Sequence, residues 1–95
     1  MFVVFLKFSD NKDQAGQYMD GHMAWLKRGF DDGVFVLAGS LKPDLGGGIV
    51  ASNTAQSDLE SRVNDDPFVA NNVVTAEIYE IAASMVDKRL EFLKG

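Results

Sequence analysis

His22 is the single histidine of this 95-residue chain, and its side chain is the one best suited to proton transfer at neutral pH. An imidazole titrates in the physiological range without help from its surroundings, whereas carboxyl, phenol and amine groups need strong burial or a charged neighbour to do so. The composition therefore predicts that any acid–base chemistry in this protein is centred on His22.

Other kinds of chemistry find little support in the composition. The chain has no cysteine, which excludes disulfides, thiolate metal sites and thiol nucleophiles. One histidine with scattered carboxylates makes a poor zinc site, so we expect neither a metal nor an organic cofactor. The net charge is −5 and the nine Lys and Arg residues form no run, which argues against nucleic acid as a partner.

The N-terminal apolar segment, residues 1–8, is too short to span a membrane and lacks the basic start of a signal peptide. We therefore expect a soluble, cytoplasmic protein without membrane association. The length is that of one ordinary globular domain. We expect one domain over residues 1–95, with a core at residues 1–81 and a helical tail at residues 83–94.

His22 lies in the longest amphipathic segment, residues 13–31. Its apolar positions recur at helical spacing and place His22 within the apolar stripe, which predicts that the imidazole points toward the sheet or a cleft beside it. Gly33 follows the segment and suits the left-handed position after a helix. The stripe comprises Ala15, Tyr18, Met19, Trp25, Leu26, Gly29 and Phe30.

The remaining segments alternate in a recognisable order. Apolar, β-rich runs at residues 2–6, 34–38, 49–52 and 73–81 predict four strands. Gly46–Gly48 form a connection that is either mobile or closely approached by another group. A second helix is predicted after Asn53 and Thr54, which can cap it, and Asp66 with Pro67 resembles a further helix start. The order β-α-β-β-α-β predicts an α+β, ferredoxin-like fold with a four-stranded antiparallel sheet and an extra C-terminal helix.

Two helices cover only one face of such a sheet. The first two strands are nevertheless apolar on both faces, so the second face should also be covered. A second copy of the same sheet is the simplest cover, and we expect a symmetric homodimer through the sheet faces.

Several of these features together resemble the YciI-like proteins of the dimeric α+β barrel superfamily. They are the histidine in the first helix, the Ala38-Gly39 pair that ends the second strand, and the Asp66-Pro67-Phe68-Val69 element, which occur in the expected order over residues 1–81. The resemblance implies an active-site dyad of His22 and Asp66 in a pocket between helix and sheet. Ser40 stands where many relatives have proline.

The function implied by this resemblance is a small, cofactor-independent enzyme of lyase, isomerase or dehydrochlorinase type. Its dyad would perform general acid–base chemistry on a small, cyclic or phenolic molecule, with Ser40, Gly39 and Phe68 as candidate substrate-binding residues. A few such relatives remove chloride from a chlorinated hydroquinone-type ring.

Structural interpretations of the same residues stay open at this point. His22 can be a core histidine bonded to a backbone carbonyl, Asp66 can be only a helix cap, and Phe68 can be only a core residue. The alternative functions are a non-catalytic module that binds a small ligand or a protein, and a purely structural domain. A heme-degrading enzyme is disfavoured, because nothing besides the histidine indicates a porphyrin site.

Overall fold

A computed structural model describes residues 1–94, in which four strands form one antiparallel sheet. The strands are β1 (Phe2–Phe8), β2 (Phe35–Leu41), β3 (Gly46–Ala51) and β4 (Val74–Glu80), and the helices are α1 (Ala15–Asp31), α2 (Gln56–Asn64) and α3 (Pro67–Ala70). Short 3-10 turns lie at Lys12–Gln14 and Lys88–Leu93. The order of elements and the β2-β3-β1-β4 arrangement confirm the predicted ferredoxin-like α+β fold.

The central strand β1 determines which residues face the helices. Phe2, Val4 and Leu6 alternate along it and are buried in one hydrophobic cluster with apolar residues of α1 and α2. Val3 and Phe5 point to the opposite face and are only partly buried in the isolated chain. The core of the chain therefore lies between the helices and one face of the sheet, as predicted from the order of the elements.

The largest fully buried side chain of the core, Trp25, lies where the C-terminal half of α1 packs on the start of β2. Trp25 is 2% exposed, contacts the Phe35 ring edge-on at a centroid distance of 5.1 Å, and donates its indole N–H to the Arg62 carbonyl. Leu59 and Val63 of α2 complete this part of the core. Gly33 follows α1 at a φ of 74°, as predicted for a left-handed residue after a helix.

Two predictions about the hairpin between β2 and β3 are wrong. The glycines do not form a connection before β3 but are its first three residues, because β3 pairs on both sides, with β1 and with β2. β2 likewise continues through Gly39 and Ser40 to Leu41 rather than ending at Gly39. Backbone pairing on both sides thus extends the sheet through residues with low strand propensity.

The predicted cap of α2 is also wrong. Ala55 is the N-cap residue, and no side chain donates or accepts a capping hydrogen bond there. Asn53 instead adopts a left-handed φ of 58°, which carries the chain away from β3. Asn53 is therefore used as a turn residue, a role for which asparagine is as well suited as for capping.

The C-terminal helix is shorter than predicted and of a different kind. Residues 83–87 are not helical, and the turn at Lys88–Leu93 is of 3-10 type. Leu93 is buried, but Met85 is 91% exposed and Phe92 is 61% exposed, so the apolar residues do not share one covered side. Within residues 1–94 no helix is both long and apolar enough to cross a membrane.

Candidate active site

His22 and Asp66 lie side by side although 44 positions separate them in the chain. Nδ1 of His22 is 2.8 Å from Oδ1 of Asp66, a hydrogen-bond distance at which the ring nitrogen donates to the carboxylate. This contact replaces the backbone carbonyl that a simple core histidine would use. It assigns the proton of a neutral imidazole to Nδ1 and leaves the lone pair on Nε2.

Asp66 has a second task that the sequence also indicated. The same Oδ1 accepts from the backbone N–H of Phe68 at 3.0 Å, so Asp66 caps α3, with Pro67 as the first residue of the helix. The side chain of Asp66 is fully buried. Capping the helix and holding the histidine are therefore combined in one oxygen atom.

The approach of α1 to α3 depends on the residue before the histidine. A Cβ atom at Gly21 would lie 3.1 Å from Cγ of Pro67, closer than side chains normally pack. Glycine at this position lets α1 pass directly over the start of α3. The short distance between His22 and Asp66 follows from that close crossing.

Aromatic side chains fix the plane of the imidazole. The ring of Phe68 stacks on His22 at a centroid distance of 4.0 Å and an interplanar angle of 3°. Trp25 lies on α1 one turn further along, with its ring 5.8 Å from His22. Together with the hydrogen bond to Asp66, these contacts hold the ring in one orientation.

His22 lines a cavity of about 390 Å³ between α1 and the sheet. The side chain of His22 is 12% exposed, and Nε2 takes no hydrogen bond from residues 1–94, so this nitrogen is available to a molecule in the cavity. A volume of this size suits a small organic ligand. The walls comprise Leu6, Phe8, Met19, Met23, Leu26, Ala38, Gly39, Ser40, Gly46, Gly47, Gly48, Ile49, Phe68 and Val74.

The walls carry almost no polar side chains. Among the residues that the structure describes, His22 and Ser40 are the two lining side chains that can form hydrogen bonds, and none of the lining side chains is charged. The structure thus brings His22, Ser40, Gly39 and Phe68 to one cavity, while Asp66 lies behind the histidine and outside the lining. Among the described residues no three histidine, aspartate or glutamate side chains come together as ligands for a metal ion.

The sequence interpretation missed part of this cavity. Met19 and Met23 form its wall on α1, and Gly47 lies on the sheet side. The helical spacing assigns Met19 to the core stripe, but its side chain is 42% exposed. The run of three glycines was the available signal, since glycine in a strand often marks a close approach by a ligand or another backbone.

No protein-family model matches the sequence, and no curated protein matches it either. The fold is similar to the solved structure of 5-chloro-2-hydroxyhydroquinone dehydrochlorinase (TftG) from Burkholderia phenoliruptrix AC1100 in complex with 2,5-dihydroxybenzoquinone. The TM-score is 0.69 at 13% sequence identity, over 85% of this chain and 93% of that chain. At this identity the similarity shows a shared fold, and the YciI-like family remains a prediction.

Proposed function

We propose that this protein is a small enzyme in which His22 performs general acid–base chemistry on a small cyclic or phenolic molecule. The observation that carries the proposal is the hydrogen bond from Nδ1 of His22 to the buried carboxylate of Asp66. That bond leaves Nε2 as a free base at the cavity wall.

The chemistry follows from the arrangement of the two side chains. Nε2 accepts a proton from a hydroxyl or an acidic C–H of the bound molecule, and the imidazole becomes a cation. The carboxylate of Asp66, 2.8 Å from Nδ1, stabilises that cation and keeps the ring in place. The protonated Nε2 then returns the proton to a leaving group or to another atom of the same molecule.

The walls of the cavity support the proposed class of substrate. Apolar side chains and glycine backbone favour a flat, uncharged ring, and the hydroxyl of Ser40 can accept or donate one hydrogen bond to a ring substituent. The absence of charged side chains from the lining disfavours phosphorylated ligands. The similar fold of a dehydrochlorinase that was crystallised with a dihydroxybenzoquinone is consistent with a phenolic substrate.

Chloride release from 5-chloro-2-hydroxyhydroquinone, measured by ion chromatography, tests the proposal. We expect turnover by the wild type and a loss of about 10²-fold or more in His22→Gln, because general acid–base catalysis typically contributes that much. Asp66→Asn keeps an oxygen that can accept from Nδ1 and from the Phe68 N–H, but it removes the negative charge. It should therefore stay folded and still lose rate.

The alternative is a non-catalytic module that uses the same cavity for recognition, which the apolar and partly open lining would allow. Binding of 2,5-dihydroxybenzoquinone can be followed by NMR in the wild type and in His22→Ala. Binding that survives this substitution, with no turnover of any chlorinated or hydroxylated ring by the wild type, would support the module and reject the enzyme.

We further propose that the uncovered sheet face forms a homodimer. Val3 and Phe5 of β1 lie on this face, beside Val50, while Leu37 and Tyr79 there are 58% and 51% exposed. So many apolar side chains on one face favour a second copy as the cover.

Sedimentation equilibrium at micromolar concentration tests the dimer. The wild type should have twice the mass of the chain, and Val3→Lys should be monomeric, because a charge at the centre of the face would be buried without a partner. Gln17→Lys places the same charge on the exposed side of α1 and should remain dimeric. A monomeric wild type would contradict the proposal.

A further inference from the structure

Three consecutive glycines begin β3, and the structure gives a different reason for each of them. Glycine weakens the interior of a strand because its backbone loses more conformational entropy on folding than that of other residues, and because it has no side chain for packing. Each position therefore calls for a specific cause.

The chain geometry accounts for Gly46. Its φ is 130°, and a Cβ atom there would overlap the carbonyl oxygen of Leu6. Any side chain at this position would force β1 and β3 apart.

Packing on the uncovered face accounts for Gly48. A Cβ atom at this position would lie 3.3 Å from Cδ2 of Leu41, on the side of the sheet opposite the cavity. A side chain here would have to displace Leu41.

Neither reason applies to Gly47. Its backbone is not left-handed, and the one atom that a Cβ would approach is the carbonyl oxygen of Gly39, at 3.4 Å. Gly47 pairs with Leu6 and with Ser40, so its missing side chain would point to the same face of the sheet as theirs. Both of those residues line the cavity with His22, and a side chain at Gly47 would therefore enter the cavity.

From this geometry we propose that Gly47 is a specificity-determining residue, which sets how large a flat ring system the cavity admits beside His22. The proposal rests on the proposed function, since it assumes that the cavity binds an uncharged ring. With glycine at position 47, a ring can lie against the bare backbone of β3, and a fused second ring has room. With a branched side chain there, a single ring remains the upper limit.

Phenol and 2-naphthol are suitable probes because both are uncharged at neutral pH and differ by one fused ring. Their dissociation constants are measured by NMR titration, with the ring signals of His22 as the reporter of the site. The proteins compared are the wild type, Gly47→Ala, Gly47→Val and the control Gly16→Ala, which adds a methyl group where nothing lies within 4 Å.

We expect the wild type to bind both probes. Gly47→Val should weaken the binding of 2-naphthol by about tenfold or more, because a steric mismatch of even one methylene group in an apolar pocket typically has that effect. Gly47→Val should change the dissociation constant of phenol much less. The dissociation constant of 2-naphthol for Gly47→Ala should lie between those of the wild type and Gly47→Val. The control should leave both dissociation constants unchanged, and the melting temperatures of the Gly47 variants should equal or exceed that of the wild type.

Two results would overturn the proposal while leaving the proposed function intact. One is Gly47→Val binding 2-naphthol as tightly as the wild type does. The other is an equal loss of both probes with a lower melting temperature, which would assign Gly47 a purely structural role. A wild type in which neither probe shifts the His22 signals would instead reject the cavity as a ring-binding site, and both proposals with it.

Discussion

The layer between α1 and the sheet has two ends, and each end contains a glycine. The space left by the missing side chain is filled at one end and empty at the other. At the closed end, Gly29 of α1 leaves room that the ring of Phe35 fills, so that a Cβ there would overlap the ring. At the open end, Gly47 of β3 leaves room that no side chain of residues 1–94 fills. The absence of a side chain thus produces dense packing in one place and a cavity in the other.

The difference shows what separates a structural glycine from a candidate functional one. Around Gly29, aromatic rings interlock, with Trp25 and Phe30 both edge-on to Phe35. Around Gly47, the one atom within 4 Å of an added Cβ among the described residues is the backbone oxygen of Gly39, and the methionines of α1 line the same cavity. A protein that needed only stability would fill the second space as it fills the first, because voids in a core are destabilising.

The largest effect is expected from substitution at the closed end. Gly29→Ala places a methyl group inside the ring of Phe35, and such overpacking costs about 1–3 kcal/mol. The gain of about 0.5–1 kcal/mol from alanine in a helix does not offset this. Urea unfolding of Gly29→Ala and Gly47→Ala would measure the contrast. An equal loss of stability in both variants would contradict the claim that packing requires glycine at position 29 but not at position 47.

A smaller effect is expected at Asp66, which lies behind His22 at the open end. Asp66→Ala removes the cap of α3 and should destabilise the protein by about 0.5–2 kcal/mol. It also leaves Nδ1 of His22 without its acceptor, so the ¹⁵N spectrum of the imidazole should show a mixture of tautomers. Asp66→Asn should retain one tautomer. A single tautomer in Asp66→Ala would show that the carboxylate does not orient the ring.

The smallest effect is expected on the uncovered sheet face. Lys7 donates to one carboxylate oxygen of Glu77 at 2.8 Å, Tyr79 donates to the other at 2.6 Å, and these two bonds lower the pKa of Glu77 below 4.5. A carboxyl whose pKa falls on folding stabilises the protein above its unfolded pKa, and this contribution is lost as the pH falls through the folded pKa. Glu77→Gln should therefore be slightly less stable than the wild type at neutral pH.

Thermal unfolding over a pH series would check this prediction. The two proteins should converge in acid, and added salt should reduce the difference at neutral pH, because exposed charges are screened. A difference that persists at a pH well below 4.5 would assign the effect to packing rather than to charge.

Local signals in the sequence were sufficient for much of the fold. The inward direction of His22, the left-handed Gly33 after α1 and the helix start at Asp66 each depend on neighbouring residues alone, and all three occur in the structure. The contact between His22 and Asp66 is different, because no spacing rule connects positions 44 apart. Its prediction came from the family resemblance, and its physical cause is the close passage of Gly21 over Pro67.

The errors occurred where tertiary contacts override local preference. The low strand propensity of glycine predicts a loop at Gly46–Gly48, yet β1 and β2 pair with these residues from both sides. The helical spacing of the apolar residues in the tail predicts a helix there. A helix of that length is stable only when it packs against a surface, and residues 83–87 are not helical. The strands that pair with the glycines and the surface available to the tail both depend on distant parts of the chain, so neither segment indicates them by itself.

The shared oxygen of Asp66 also limits how the histidine can move. Oδ1 holds the Phe68 N–H and His22 Nδ1 at once, at 3.0 Å and 2.8 Å. The carboxylate cannot swing away to follow the imidazole without releasing the first turn of α3. A flip of the ring would turn Nδ1 away from this oxygen. It would also turn the edge of the imidazole toward the ring of Phe68, which is stacked on its face. Ring flips of His22 should therefore be slow and coupled to local opening of α3.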